Sequence, residues 1–169
     1  MNTAKVYEKY PAGTVLLSNF TSLVIYGLSF LVMLKAGIIF GLIYLVGVII
    51  MEIRLVSSHC VNCYYWGKRC AFGKGWISSL FFGKGNPPDF CKKEMTWTDM
   101  LPDILISGIP VIAGIILLIL DFDLLILLMV IMLLIFISYG NSVIRGSLAC
   151  NHCKQRELGC PAERLFSKD

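Results

Sequence analysis

The sequence predicts an all-α integral membrane protein with four transmembrane helices in two tandem helical hairpins, each followed by a cytoplasmic Cys-x2-Cys-x6-Cys motif. Three observations predict this class: the apolar composition, two very long apolar stretches, and a cysteine triplet that recurs after each stretch. Of the 169 residues, 57% are hydrophobic and only 15% are charged, and the mean hydropathy is +0.75. One small soluble domain cannot bury that much apolar surface.

Each apolar stretch is long enough for two membrane helices of about 20 residues. The first stretch, residues 15–56, has one polar break in its middle, at Lys35. The second, residues 102–143, has a similar break at Asp121 and Asp123. Because helices joined by such short connections must be antiparallel neighbours, each stretch is predicted to form a transmembrane hairpin.

The three remaining segments are predicted to lie on one face of the membrane: the N-terminal segment 1–14, the cysteine-rich insertion 57–101 and the cysteine-rich tail 144–169. These segments and the adjoining helix ends carry fourteen of the fifteen Lys and Arg residues, and Lys35 alone lies at the opposite face. By the positive-inside rule, both termini and all cysteines are predicted to be cytoplasmic, in a multi-pass protein of the plasma membrane.

Two cysteine triplets follow the two hairpins at the same spacing, 90 positions apart. They are Cys60, Cys63 and Cys70 in the first unit and Cys150, Cys153 and Cys160 in the second. Cytoplasmic thiols are kept reduced, so metal coordination or redox chemistry is favoured over a disulfide framework. In a Cys-x2-Cys turn both sulfurs can converge on one ion while backbone amides stabilise the thiolate charge.

The two units differ in their candidate fourth ligand. Cys91 can complete a four-thiolate site in the first unit. In the second unit the fourth ligand can be His152, a cysteine of the first unit or a residue of a partner protein. Alternatively, the two triplets meet about a pseudo-two-fold axis and form one shared centre. The predicted metal ligands are Cys60, Cys63, Cys70, Cys91, Cys150, Cys153, Cys160 and His152.

The cysteine spacing, and nothing else, resembles that of each half of the binuclear zinc cluster of fungal transcription factors. The resemblance implies that two such halves can share two metals. Thiolate sites suit iron–sulfur clusters and zinc alike. The step from Cys160 to Pro161 is similar to the Cys-Pro that closes many ferredoxin-type ligand runs, although the cysteine spacing differs from that of those runs. The ligand set fits both metals; an iron–sulfur cluster is the predicted cofactor and Zn²⁺ the alternative.

Apart from the polar breaks at Lys35, Asp121 and Asp123, the charged residues of the apolar stretches lie near the ends of those stretches. Glu52, Arg54 and Asp103 are interpreted as interfacial anchors, so a channel or transporter is not favoured. Polar side chains within the stretches are expected to hydrogen bond between helices. They are Asn19, Thr21, Ser22, Tyr44 and Ser107.

The insertion contains an apolar stripe at helical spacing, formed by Trp76, Ile77, Leu80 and Phe81. It predicts a short amphipathic helix that lies on the membrane surface or docks to a partner subunit. The sequence lacks a phosphate-binding loop, a nucleophile elbow and a His-Glu-x2-His motif, so catalysis by the isolated chain is not favoured.

These observations favour a metal-binding electron-transfer or accessory subunit of a membrane redox complex, with a cytoplasmic iron–sulfur centre. The alternative is a zinc-stabilised membrane scaffold or assembly factor, and a more distant one is a membrane thiol oxidoreductase. The expected partners are membrane lipid and other protein subunits. Nucleic acid is not expected, because aromatic and basic residues beside a membrane are typical of the interfacial belt.

Overall fold

The computed structural model describes residues 6–92 and 97–160, and the side chains of 6–90 and 101–160. Within these residues all the regular elements are helices, apart from one isolated β-bridge between Tyr7 and Cys153. The α-helices are α1 Ala12–Ala36, α2 Ile38–Arg54, α3 Lys74–Phe81, α4 Pro87–Lys92, α5 Trp97–Leu120, α6 Leu124–Ile135 and α7 Lys154–Glu157.

Helices α2 and α6 continue beyond their α-helical parts and deliver a cysteine motif at their ends. After α2 the chain forms the π-helical turn Leu55–His59 and the 3₁₀ turn Cys60–Asn62. After α6 it forms the π-helical segments Phe136–Gly140 and Ser142–Ala149 and the 3₁₀ turn Cys150–His152. Both cysteine triplets therefore begin at the same point, where a long helix tightens into a 3₁₀ turn.

Four helical segments are long and apolar enough to cross a membrane. They are Ala12–Ala36, Ile38–Asn62, Leu101–Leu120 and Leu124–His152. Their outer faces expose large apolar side chains, such as Leu16 at 74% and Ile119 at 79%. A water-soluble monomer rarely exposes so much contiguous apolar surface, so the chain is a multi-pass membrane protein.

Helix α1 is the centre of the packing and contacts α2, α5 and α6. Its Val32 is fully buried against Ile126 and Val130 of α6. Gly114 of α5 allows this approach, because a Cβ atom there would lie 2.4 Å from Val130 Cγ2. Close packing at a small residue supplies contact between apolar helices that the hydrophobic effect cannot supply in lipid.

The α1–α2 connection and the α5–α6 connection lie at the same end of the helices. Lys35 Nζ lies 3.6 Å from Asp123 Oδ2, across these two connections. Since α2 and α6 both run away from this end, the two cysteine motifs lie at the other. The tandem-hairpin assignment, with its orientation relative to the cell, stays a prediction.

The hydroxyl groups of Ser22 and Ser107 hydrogen bond within their own helices. Ser22 and Ser107 each donate to the carbonyl four residues earlier, at 3.1 and 3.0 Å. The prediction of interhelical bonds is wrong for these two residues, because a helix carbonyl satisfies a serine hydroxyl locally. Asn19 does reach beyond its helix, and its Nδ2 donates to the carbonyl of Phe72 at 3.2 Å.

Gly114→Ala is expected to lower the free energy of unfolding by about 1–3 kcal/mol, because the new Cβ overpacks the contact with Val130. The matched control is Gly108→Ala in the same helix, where a Cβ meets no atom within 4 Å. We expect that change to alter stability by less than about 1 kcal/mol. Denaturant-induced unfolding in detergent micelles measures both, and equal destabilisation would contradict the α1–α5–α6 packing.

Candidate metal centre

The segment before α1 ties the two cysteine units together. The backbone N–H of Tyr7 donates to the carbonyl of His152 at 3.0 Å, and that of Tyr10 donates to the carbonyl of Arg69 at 3.0 Å. The Tyr10 hydroxyl donates to the carbonyl of Ala149 at 2.5 Å. The segment therefore contacts the chain just before the last cysteine of the first unit and just before the first cysteine of the second.

Two buried tyrosines form the core of this cap. Tyr10 and Tyr65 are each 1% exposed, and their ring centroids lie 5.5 Å apart. The Tyr65 hydroxyl donates to the carbonyl of Tyr7 at 2.6 Å, as a buried tyrosine requires a polar partner. Cys63, Cys70 and Cys153 pack against the same cluster. Thiols from both units thus share one aromatic environment.

The two Cys-x2-Cys turns have the same backbone geometry. The N–H of Cys63 donates to the carbonyl of Cys60 at 3.3 Å, and the N–H of Cys153 donates to that of Cys150 at 3.2 Å. Both second cysteines then leave the turn in extended conformation, with φ −81° and ψ 149° at Cys63 and φ −84° and ψ 121° at Cys153. The repeat seen in the cysteine spacing is therefore also a repeat of local structure.

The two turns exchange hydrogen bonds reciprocally. The N–H of Tyr64 donates to Gln155 Oε1 at 2.8 Å, and the N–H of Lys154 donates to the Tyr65 hydroxyl at 2.9 Å. In each case the residue after the second cysteine donates to the side chain two positions after the second cysteine of the other unit. This exchange has local two-fold symmetry, and Gln155, at 2% exposure, is as deeply buried as Tyr65.

Backbone amides donate to thiol sulfurs at matching positions. Burial raises the pKa of the Cys63 thiol to about 12, and the N–H of Tyr65 partly offsets that rise. Burial also raises the pKa of Cys153, and there the N–H groups of Gln155 and Arg156 oppose it. Amides that donate to sulfur favour the thiolate, which is the form that binds metal.

A third thiol receives an amide from α3. The N–H of Gly75 lies 3.5 Å from Cys70 Sγ, and the carbonyl of Gly75 accepts from the N–H of Gly67 at 3.0 Å. Only glycine fits at position 75, since a Cβ there would lie 2.2 Å from the carbonyl oxygen of Tyr65. The start of α3 is thereby held directly against the first cysteine loop.

The thiols lie within electrostatic reach of one another. Burial is the main cause of the raised pKa of Cys63, and the Tyr65 amide partly offsets it. Negative charge on Cys153, and on Cys60 and Cys70 of the first unit, raises this pKa further. The pKa of Cys153 is raised in the same way by the other two cysteines of its unit. The effect of Cys153 on the pKa of Cys63 crosses from one triplet to the other, and both residues pack against the same tyrosine cluster.

The candidate metal ligands that the structure describes do not form a complete metal site. In the described part of the chain, no three His, Cys, Asp or Glu side chains converge closely enough to hold a metal ion. The His152 ring packs on Tyr7 at a centroid distance of 4.8 Å. Cys91 belongs to α4, and its side chain lies outside the described residues. None of the six described cysteines is in a disulfide bond: Cys60, Cys63, Cys70, Cys150, Cys153 and Cys160.

Sequence reasoning missed the residues that hold the two units together. Tyr10 resembles any interfacial aromatic in sequence, and Gln155 resembles any polar tail residue. One signal was present: Tyr65 and Gln155 occupy equivalent positions of the 90-residue repeat. Comparison of this chain with protein-family models, curated proteins and solved structures finds no match.

Gln155→Leu is expected to speed amide hydrogen exchange at Tyr64, and Tyr65→Phe is expected to speed exchange at Lys154. Each change removes the acceptor of one partly buried amide, which costs about 1–3 kcal/mol when the amide is left without a partner. Mass-spectrometric exchange resolves the two peptides. Tyr139→Phe is the matched control, because Tyr139 is 72% exposed. Unchanged protection at both amides would contradict the reciprocal pairing.

Proposed function

We propose that this protein is a small membrane subunit that binds metal through its two cysteine units and passes electrons within a membrane redox complex. The proposed cofactor is a cysteine-ligated iron–sulfur centre. One observation carries the proposal: two equivalent Cys-x2-Cys turns are paired by reciprocal hydrogen bonds, with backbone amides aimed at their sulfurs.

The physical argument starts from the cost of buried thiols. The aromatic cluster makes the thiolate forms of Cys63 and Cys153 unfavourable, whereas the amide donors favour them. A bound cation would stabilise both thiolates, because its positive charge offsets the cost of removing them from water. A metal bound here would displace the thiol protons. Because the candidate ligands do not converge in the described residues, their sulfurs would have to move closer together to hold it.

The surroundings of the thiols suit a redox centre. The reduction potential of an iron–sulfur cluster depends on hydrogen bonds to its sulfurs and on exclusion of water. Here the buried rings of Tyr10 and Tyr65 cover part of Cys63, Cys70 and Cys153, whereas Cys150 is exposed. Gly75 adds an amide to Cys70. Hydrogen bonds already join the two units, so the proposed metal centre is not required to hold them together.

A zinc-stabilised scaffold or assembly factor is the second candidate. It is favoured by α3, which leaves Trp76 54% exposed and Phe81 76% exposed. A cap folded around zinc would present this apolar face to another subunit or to the membrane surface. In both candidates the partners are lipid and other protein subunits.

The cap is proposed to face the cytoplasm of a plasma-membrane protein, with both termini on that side. The support is the distribution of charge: the basic residues surround the cap, and Lys35 lies at the other end beside Asp123. The cytoplasm would keep the cysteines reduced and available to metal.

Protein purified without oxygen is expected to contain iron and an equivalent amount of acid-labile sulfide, with a reducible EPR signal. Stoichiometric zinc without visible absorbance would instead select the scaffold. Absence of both metals would overturn the proposal. Metal analysis, sulfide analysis and EPR spectroscopy together separate these outcomes.

Cys60→Ser and Cys150→Ser are each expected to abolish metal binding if the proposed centre takes ligands from both triplets. Metal content per chain measures the effect. The control is Asn151→Ala, an exposed change inside the second turn. Loss of only half of the metal from each serine variant would show two independent centres.

Lys35→Cys is expected to react with a membrane-impermeant maleimide in intact cells, whereas Lys84→Cys is expected to be protected. Both lysines are exposed but lie at opposite ends of the helices. Labelling of the native chain gives the background from its own cysteines. The reverse pattern would place the cap outside the cell and favour disulfide chemistry.

A further inference from the structure

A cavity of about 880 Å³ lies between α1, the end of α2 and α3. It is separate from the tyrosine cluster of the cap, and its wall is largely apolar. The apolar wall includes Leu16, Phe20, Leu23, Ile53, Ile77 and Phe81. Cavities of this size, with a few convergent polar groups, are typical of small-molecule sites.

Three polar side chains converge in the wall of this cavity. Lys74 Nζ lies 2.8 Å from Glu52 Oε1 and 2.7 Å from Glu52 Oε2. The Tyr26 hydroxyl donates to Glu52 Oε1 at 2.9 Å. The side chains of Lys74 and Glu52 are 17% and 32% exposed, so this ion pair is partly buried. Glu52 is thus part of a built polar site, where the sequence indicated only an interfacial anchor.

The charges at this polar site select the kind of headgroup. The Lys74 ammonium and the Glu52 carboxylate cancel, so an anionic headgroup would meet Glu52 and a cationic one would meet Lys74 at close range. A neutral headgroup avoids both penalties. The ammonium has three N–H donors, of which Glu52 takes two, and the third can bind a carbonyl oxygen of the ligand.

The apolar wall indicates an extended hydrocarbon tail. Leu16 and Leu23 line the cavity and are 74% and 69% exposed along α1, which is a membrane-spanning segment. A tail that leaves the cavity along these side chains remains in the hydrocarbon of the bilayer. The cavity thus suits a membrane-soluble amphiphile whose headgroup has no net charge and accepts a hydrogen bond.

The polar site adjoins the cysteine units. Lys74 directly precedes Gly75, whose N–H lies 3.5 Å from Cys70 Sγ. Val56, which lines the cavity, lies one helical turn before Cys60. Among neutral-headed membrane lipids, quinones are the class that exchanges electrons with metal centres, and the choice of this class rests on the proposed redox function.

We propose that the cavity binds a lipid-soluble quinone, with a carbonyl oxygen of the headgroup on Lys74 and the prenyl tail along α1. Titration of the full-length protein in detergent micelles with geranyl-substituted 1,4-naphthoquinone, followed by calorimetry, tests this assignment. Saturable binding is expected. Lys74→Met is expected to weaken it about tenfold or more, because a charge-assisted hydrogen bond is lost.

Two matched controls define the site. Lys35→Met removes a lysine of another ion pair, at the far end of the helices, and should leave quinone affinity unchanged. Leu23→Trp, which fills the cavity, should abolish binding. Leu45→Trp, on a part of α2 that does not line the cavity, should not. If Lys74→Met fails to fold, the tryptophan pair decides the question.

Absence of saturable binding, or equal weakening by the cavity variants and their controls, would overturn the assignment. Displacement of the quinone by zwitterionic phosphatidylethanolamine or by diacylglycerol at equal concentration would also overturn it and indicate a structural lipid. Quinone binding by a Cys150→Ser variant that has lost its metal would support the cavity assignment independently of the proposed metal centre. Metal in the native protein without quinone binding would overturn the cavity assignment alone.

Discussion

The cap depends on the reciprocal hydrogen bonds between the two cysteine turns. A membrane helix satisfies its own backbone, but the chain that leaves it needs new partners for each amide and carbonyl. Each turn supplies what the other lacks: Gln155 accepts from the Tyr64 amide, and Tyr65 accepts from the Lys154 amide. Neither unit could bury these groups alone, so the two halves of the chain form one cap and bring their thiols together.

The four membrane helices could be predicted because their signal is local and large. A run of about 20 apolar residues identifies a membrane helix without knowledge of its neighbours. The cysteine spacing likewise indicated two equivalent turns, and Cys63 and Cys153 do have closely similar backbone geometry. The partners of hydroxyl groups inside the helices were harder to predict. Ser22 could donate either to a carbonyl of its own helix or to a neighbouring helix, and it donates to the carbonyl of Ser18 in its own helix.

The contacts that build the sites depend on pairs distant in sequence. Tyr64 and Gln155 are separated by 91 positions and Tyr26 and Glu52 by 26. A charged residue near the end of a membrane helix is ordinarily an interfacial anchor. The residues adjacent to Glu52 in the sequence do not indicate that it pairs with Lys74. Such pairings follow from helix packing and loop paths, which composition and periodicity do not determine.

Helix α3 connects the cysteine cap with the cavity. Its first residue, Lys74, reaches Glu52, and the next, Gly75, reaches Cys70. Since a Cβ at position 75 would overlap the carbonyl of Tyr65, the helix has no room to approach the cap further. A shift of the Cys70 sulfur onto a metal would therefore act on the same turn that positions Lys74. Metal loading and headgroup binding would then be coupled through one rigid helix turn, and by linkage the coupling would be reciprocal.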